Sequence, residues 1–171
     1  MDGSRIRAMT SFRPAPGTQR QFRDALGSFG TGVTVVTTCG PGGPCAITAN
    51  SFASVSLDPP LVLWSVDVGS DRCEIFVNAR HSVIHVLAQD QVDMAQRFAR
   101  DGFDFSGVAW QDGAHGSPLL TGCLTRFECE TTAVHDGGDH RILVSRVIRV
   151  DMSPGAPLLF AGGQFGQFTT A

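Results

Sequence analysis

The side chains able to do chemistry fall at a few places along these 171 residues. His81 and His85 stand four apart, Glu128 and Glu130 two apart, and His135 and His140 bracket an Asp-Gly-Gly-Asp turn. A metal shared by His81 and His85 would need a helix. Their Val- and Ile-rich setting is a strand, where residues four apart are separated by about 13 Å. No metal site is expected from them. Glu128 and Glu130 alternate with Phe127 and Cys129, the pattern of a solvated strand face rather than of an acid/base dyad. Cys39, Cys45, Cys73, Cys123 and Cys129 form no Cys-x-x-Cys pair and read as reduced thiols of a cytoplasmic protein. Every basic residue is an arginine and tyrosine is absent, which excludes Schiff-base lysines and tyrosyl acids. No G-x-G-x-x-G, Walker loop, H-E-x-x-H or G-x-S-x-G is present.

The most distinctive stretch runs from Thr48 to Pro60, T-A-N-S-F-A-S-V-S-L-D-P-P. It sets small donors on a half-buried strand, able to offer hydroxyls and N–H groups to a ribityl chain or a planar heteroaromatic ring. A Ser-rich edge strand with no ligand has the same composition, so the residues alone leave both readings open.

Length and composition fit one domain with its own core: 42% of residues are hydrophobic and 17% charged. A net charge of −3 gives no reason to expect nucleic acid or an acidic membrane as partner. No apolar run reaches the roughly 18 residues of a membrane span. Residues 1–17 are expected to be a loose arm and 18–171 the domain.

The elements that must position these groups are mostly strands. Phe22, Ala25, Leu26 and Phe29 recur at helical spacing from Thr18 to Phe29, with Thr18 to cap the start and Gly30 to end it. Gly32–Cys39 and Cys45–Ser56 read as a hairpin around Gly40–Pro44. Asp58-Pro59-Pro60 breaks the strand before the apolar run Leu61–Val66. Short helices are expected over Asp71–Ala79 and Val92–Arg100, with strand His81–Leu87 between them. Asp101–Ser117 reads as an irregular loop with aromatic anchors. Strands Leu119–Val134 and His140–Met152 flank the His135–Asp139 turn, and Pro157–Phe160 adds a short last strand. This order indicates a mainly β fold, an antiparallel barrel or sandwich with a few short helices.

Taken together, F-R-D-A-L-G-S-F-G-T-G-V-T-V-V-T-T (22–38), the Thr48–Pro60 signature with L-V-L (61–63), Arg97-Phe98-Ala99, H-D-G-G-D-H (135–140) and P-L-L-F (157–160) resemble the flavin reductase family. These are the small components of two-component flavin-dependent monooxygenases. The resemblance implies a Greek-key flavin-binding split barrel that assembles as a homodimer. It further implies an enzyme that uses a reduced nicotinamide to reduce FAD or FMN for a separate monooxygenase. With no Arg pair to mark a 2′-phosphate pocket, NADH is expected over NADPH.

The same resemblance assigns site residues. Flavin is expected along Pro44, Cys45, Ala46, Ile47 and Thr48, with Asn50 and Ser51 at the ring or ribityl chain. Ser65, Val66, Asp67, Val68, Gly69, Ser70, Asp71 and Arg72 are expected on the ribityl and phosphate side. Many relatives carry lysine at Val68 and tyrosine at Phe165. Arg72 is the residue able to replace that lysine's charge, and Phe165 keeps a tyrosine's stacking without its hydrogen bond. Arg97 either helps to hold flavin or pairs with Asp93 one helical turn away. Cys45 reads as a packing residue within the flavin strand. His140 is expected at the nicotinamide, orienting it for hydride transfer.

Three other classes share these features: a flavin-binding module without turnover, a single-component split-barrel oxidase, and a purely structural barrel. The first two would keep their cofactor, and the third would bind none.

Overall fold

A computed structural model describes residues 9–169. Of the expected N-terminal arm, residues 1–8 lie outside the described residues, while 9–17 are exposed and form neither helix nor strand. Residues 170 and 171 of the expected domain are likewise outside.

The fold is mainly β, as expected. Its largest sheet has seven antiparallel strands in the order β3-β2-β6-β9-β10-β5-β4. In chain order these are β2 (Thr34–Gly40), β3 (Gly43–Ala49), β4 (Ala53–Leu57), β5 (Pro60–Asp67), β6 (His81–Val86), β9 (Thr125–Asp136) and β10 (His140–Met152). The edge strands β3 and β4 do not pair with each other, so hydrogen bonding leaves the sheet open there and closes no barrel. Ser51, between them, bridges part of the gap: its Oγ accepts the Ser65 N–H at 2.9 Å and donates to the Ser65 carbonyl at 3.2 Å. A second sheet joins β1 (Thr31–Gly32), β11 (Leu158–Ala161) and β12 (Gln164–Gln167), and β7 (Trp110–Asp112) pairs with β8 (Pro118–Leu120).

Strands β2 and β3 are buried through consecutive residues, the threonines of β2 included, because both of their faces are covered. Val36, Cys45 and Ile47 face one core with Trp64, Phe76, Ile84 and Leu143. Val35 and Ala46, one residue out of phase, face a second core with Leu87, Phe98, Leu120 and Leu158. Burying each large side chain contributes about 1.5–3 kcal/mol.

Three helices complete the fold. The first, α1 (Gln19–Gly27), buries none of its residues. Thr18 precedes it without capping it, because the Thr18 hydroxyl turns back to the Ala15 and Arg13 carbonyls. The second, α2 (Cys73–Asn78), is shorter than expected. The third, α3 (Val92–Arg100), has the expected bounds. Its spacing puts Ala95 and Phe98 on one buried face, and Arg97 and Arg100 lie in the last turn, where cations favour the helix dipole.

Several expectations are corrected. The strand read as continuous over Cys45–Ser56 breaks at Asn50, so that β3 pairs with β2 while β4 turns away to pair with β5. Leu119–Val134 likewise divides at residues 121–124 into β8 and β9. The Asp101–Ser117 loop contains the short strand β7. The solvated reading of Glu128 fails, since this residue is only 7% exposed. Glu130 is claimed by Arg80 and Arg146, whose hydrogen bonds hold its carboxyl below the usual range. His85 is fully buried: its Nδ1 meets the Val35 carbonyl at 3.0 Å, and its Nε2 accepts the Leu120 N–H at 3.0 Å. His81 stacks instead on His115, so the two histidines engage different partners.

Candidate functional site

The end of β5 turns tightly because Asp67 organises the residues after it. Its Oδ1 accepts the Gly69 N–H at 2.7 Å and its carbonyl accepts that of Ser70 at 3.1 Å. Ser70 then passes the chain into α2, its carbonyl accepting the Cys73 N–H at 3.0 Å. On the other side, Thr48 of β3 donates its hydroxyl to the Ala95 carbonyl of α3 at 2.6 Å. Between them lies an open groove of about 520 Å³, lined by Ile47, Thr48, Asp67, Gly69, Ser70, Asp71, Arg72 and Ala99. That volume suits a small-molecule site.

Arg72 braces the groove from below. Its side chain is only 12% exposed, and its Nη1 donates to the Phe98 carbonyl at 2.8 Å and reaches the Ala46 carbonyl at 3.4 Å. Its Nε lies 3.4 Å from Ser70 Oγ and 3.3 Å from Asp71 Oδ1. Gly102 closes the back: its carbonyl accepts the Ala46 N–H at 2.8 Å, and a Cβ there would collide with the Ala46 carbonyl and the Arg72 chain. Asp101 Oδ1, accepting the Phe103 N–H at 2.8 Å, shapes this turn.

His140 arrives at the same end of the sheet, paired across the strands with Asp67. Gly138, at φ +78°, permits the turn that precedes it, and the Asp139 carbonyl accepts the Val68 N–H at 3.0 Å. His140 Nδ1 lies 2.8 Å from Asp139 Oδ1, and this contact holds the Asp139 carboxyl below its usual range. A carboxylate can only accept, so Nδ1 carries the proton and Nε2 is left for another partner.

Seven of the residues singled out in the sequence therefore line one groove, and His140 stands beside it. The others sit around it in different ways. Cys45, Ala46 and Val66 are buried behind the groove wall, and burial pushes the Cys45 thiol up to about 11, as suits a packing residue. Ser51 and Ser65 bond to each other, Asn50 is exposed, and Pro44 pairs with Cys39 near the hairpin tip. Arg97 pairs with Asp104, not Asp93, in a separate polar groove on α3. Phe165 packs edge-on against Phe160 at the second core. Sequence reading missed Ala99 and Gly102 as parts of the site. Arg97-Phe98-Ala99 was the one signal pointing to the former, and nothing local marks the latter.

Comparison with known proteins decides the family. Residues 26–169 match the flavin reductase like domain. The chain belongs to the flavin reductase family. This family member is 51% identical over 158 residues to "FMN reductase (NADH) SmoA" of Agrobacterium fabrum, covering 92% of this chain and 91% of the relative. It is 40% identical to "Flavin-dependent monooxygenase, reductase subunit HsaB" of Rhodococcus jostii, covering 85% and 76% of the two chains. Among solved structures it is similar to the NADH:FAD oxidoreductase SgcE6 of Streptomyces globisporus C-1027, with a TM-score of 0.86, 38% identity, and coverage of 97% and 96%. SgcE6 has also been solved in complex with NAD and FAD fragments. In this family member the Thr48–Pro60 signature is thus divided: Thr48 lines the groove, Ser51 pins the groove strand, and Ser54 to Pro60 form a sheet edge.

Proposed function

We propose that this protein is an NADH-dependent flavin reductase, which reduces FMN or FAD and releases the product to a separate flavin-dependent monooxygenase. The observation that carries the reading is the groove between Ile47 and Arg72, with His140 at its end. The relatives support the reaction: the Agrobacterium protein is named for FMN and NADH, the Streptomyces protein for NADH and FAD, and the Rhodococcus protein as a monooxygenase's reductase subunit. Two of these names specify NADH, which favours it over NADPH.

The groove fits a flavin by size and by lining. Gly69, Ser70 and Ala99 carry little bulk, so a flat ring meets no obstruction. Ser70 Oγ accepts from the Arg72 backbone N–H at 3.3 Å, which leaves its own proton to donate toward a ribityl hydroxyl. Bound flavin and NADH supply the hydride chemistry between them, and the protein has only to hold the two rings in contact. Ile47 and Thr48 provide a wall set by the β2–β3 pairing and by the Thr48–Ala95 bond. His140, oriented through Nδ1 by Asp139, presents Nε2 to the nicotinamide carboxamide. No acid/base step is asked of it. Asn50, Ser51, Arg97 and Phe165, outside the groove in one chain, complete the proposed flavin site in the assembly.

We further propose that the chain is a cytoplasmic homodimer. Leu26 and Phe29 on and after α1, and Leu57 on the edge strand β4, are 58%, 78% and 95% exposed, surfaces that a second copy would cover. The five free cysteines suit a reducing compartment. Among the described residues no helix is long and apolar enough to cross a membrane.

The test follows NADH absorbance with and without added FMN or FAD after exhaustive dialysis. NADH loss that depends on added flavin, with oxygen consumed by the released product, is the expected result. Turnover without added flavin, or none with any flavin, would reject the reading.

A further inference from the structure

We infer that Arg72 is a positioning residue that fixes the shape of the flavin groove by clamping α3 to β3, and does not serve as the charge partner of the flavin phosphate. The inference rests on the flavin reductase reading above and goes beyond it by assigning what the site recognises.

Two of the three nitrogens of the guanidinium, Nη1 and Nε, are already engaged with protein. Its Nη1 faces the Phe98 carbonyl at 2.8 Å and the Ala46 carbonyl at 3.4 Å, on two elements that are otherwise far apart in sequence. Phe98 lies in the last turn of α3, where carbonyls have no helical partner and take a side-chain donor well. Arginine is suited to such a role because its planar fork reaches several acceptors from one rigid group. The Nε edge is occupied as well, by Ser70 Oγ and the Asp71 carboxylate.

The local charge argues the same way. Asp67 and Asp71 both line the groove, and Arg72 is its one basic lining residue. Two carboxylates against one guanidinium, itself 3.3 Å from Asp71, leave the groove without positive charge to offer an anion. Val68, in the same turn and 46% exposed, adds no charge. Recognition therefore falls on the ring and the ribityl chain, which riboflavin, FMN and FAD share.

Gly102 supplies an independent handle. A Cβ there meets the Arg72 side chain and the Ala46 carbonyl together, so Gly102→Ala wedges the clamp open while every charge stays in place.

Arg72→Gln, Arg72→Lys and Gly102→Ala would be compared with the wild type for riboflavin, FMN and FAD, with melting temperatures measured alongside. Wild-type turnover with each flavin comes first, and its absence would reject the reductase reading itself rather than this inference. The expected result is a flavin KM raised about fivefold or more for all three flavins in all three variants, the size of losing one good hydrogen bond. Lysine does not rescue, and the KM for NADH stays within about twofold. A KM that rises for FMN and FAD but not for riboflavin, with rescue by lysine, would show that Arg72 reads the phosphate and overturn the inference. So would an unchanged flavin KM, or a fall in kcat alone together with a lower melting temperature. Failure of every variant to fold would assign Arg72 to the fold as a whole and overturn it equally.

Discussion

His140 on β10 lies directly opposite Asp67 on β5, one pair beyond Arg141 and Val66. The proposed nicotinamide contact and the residue that shapes the groove turn are therefore held by a single strand pairing. Replacing His140 with Ala leaves that backbone pairing intact and removes only the ring. The expected effect is an NADH KM raised, or flavin reduction slowed, by about tenfold, equivalent to about 1.4 kcal/mol of positioning. Flavin affinity should stay near the wild-type value. Stopped-flow reduction at varied NADH checks this, and a variant that loses flavin instead would remove His140 from the nicotinamide site.

Assembly can be probed from the exposed apolar side of α1. Leu26 is 58% exposed in its own chain, so Leu26→Arg should cost little in the isolated protomer. At a dimer interface the same charge would be desolvated without a partner. Sedimentation at micromolar concentration is expected to show dimer for the wild type and a shift toward monomer for Leu26→Arg and Leu57→Arg. Wild-type protein that sediments as an active monomer would count against the assembly.

Where alternation and burial coincide, the sequence was a good guide. His140–Met152 reads as one long strand and its strand has those same bounds, and α3 has the bounds read from the sequence, with Ala95 and Phe98 on its buried face. Period-two alternation carries no mark of where a strand changes neighbour, so the break at Asn50 was invisible. Glu128 was misread because burial of an acid depends on what packs over it, and the cleft it shares with His81 and His115 comes from remote loops. The last strand read from the sequence ends at Phe160; in the fold Gly162 and Gly163, both at positive φ, turn the chain back so that β12 pairs with β11. The groove was legible as two separate segments. Their union with Ala99 and Gly102 depends on Arg72 reaching carbonyls 26 residues away in either direction, which no local pattern encodes.

Trp64 offers a test of core tolerance. Its ring is fully buried edge-on against Phe76, yet its Nε1 has no hydrogen-bond partner among the described residues. Trp64→Phe deletes volume, which is unfavourable, and also deletes an unsatisfied donor worth about 1–3 kcal/mol. The two effects oppose, so a net loss below about 1.5 kcal/mol is expected. Trp64→Ala should cost about 3–5 kcal/mol, because it leaves a cavity between β5 and α2. Urea unfolding of both variants checks the contrast, and equal losses would mean that the orphaned donor does not matter.

His85 makes stability depend on pH. Burial drives its pKa down from 6.5 to about 4, against a smaller opposing effect of the hydrogen bond to Val35. The folded protein thus keeps the ring neutral between those values, while the unfolded chain takes up a proton. Stability from this group is full above pH 6.5 and falls as pH drops toward 4, by about 3 kcal/mol in all. The neutral tautomer is fixed by its neighbours: Nδ1 donates to Val35 and Nε2 accepts from Leu120, so a second proton would break the link from β6 to β8. His85→Gln cannot titrate and should be less stable than the wild type at pH 7 because its amide fits those partners less well. As pH falls to 4 the wild type loses this contribution and the variant does not. Urea midpoints measured from pH 7 to pH 4 are therefore expected to converge for the two proteins. A gap that stays constant across that range would show that His85 is protonated alike in the folded and unfolded chains.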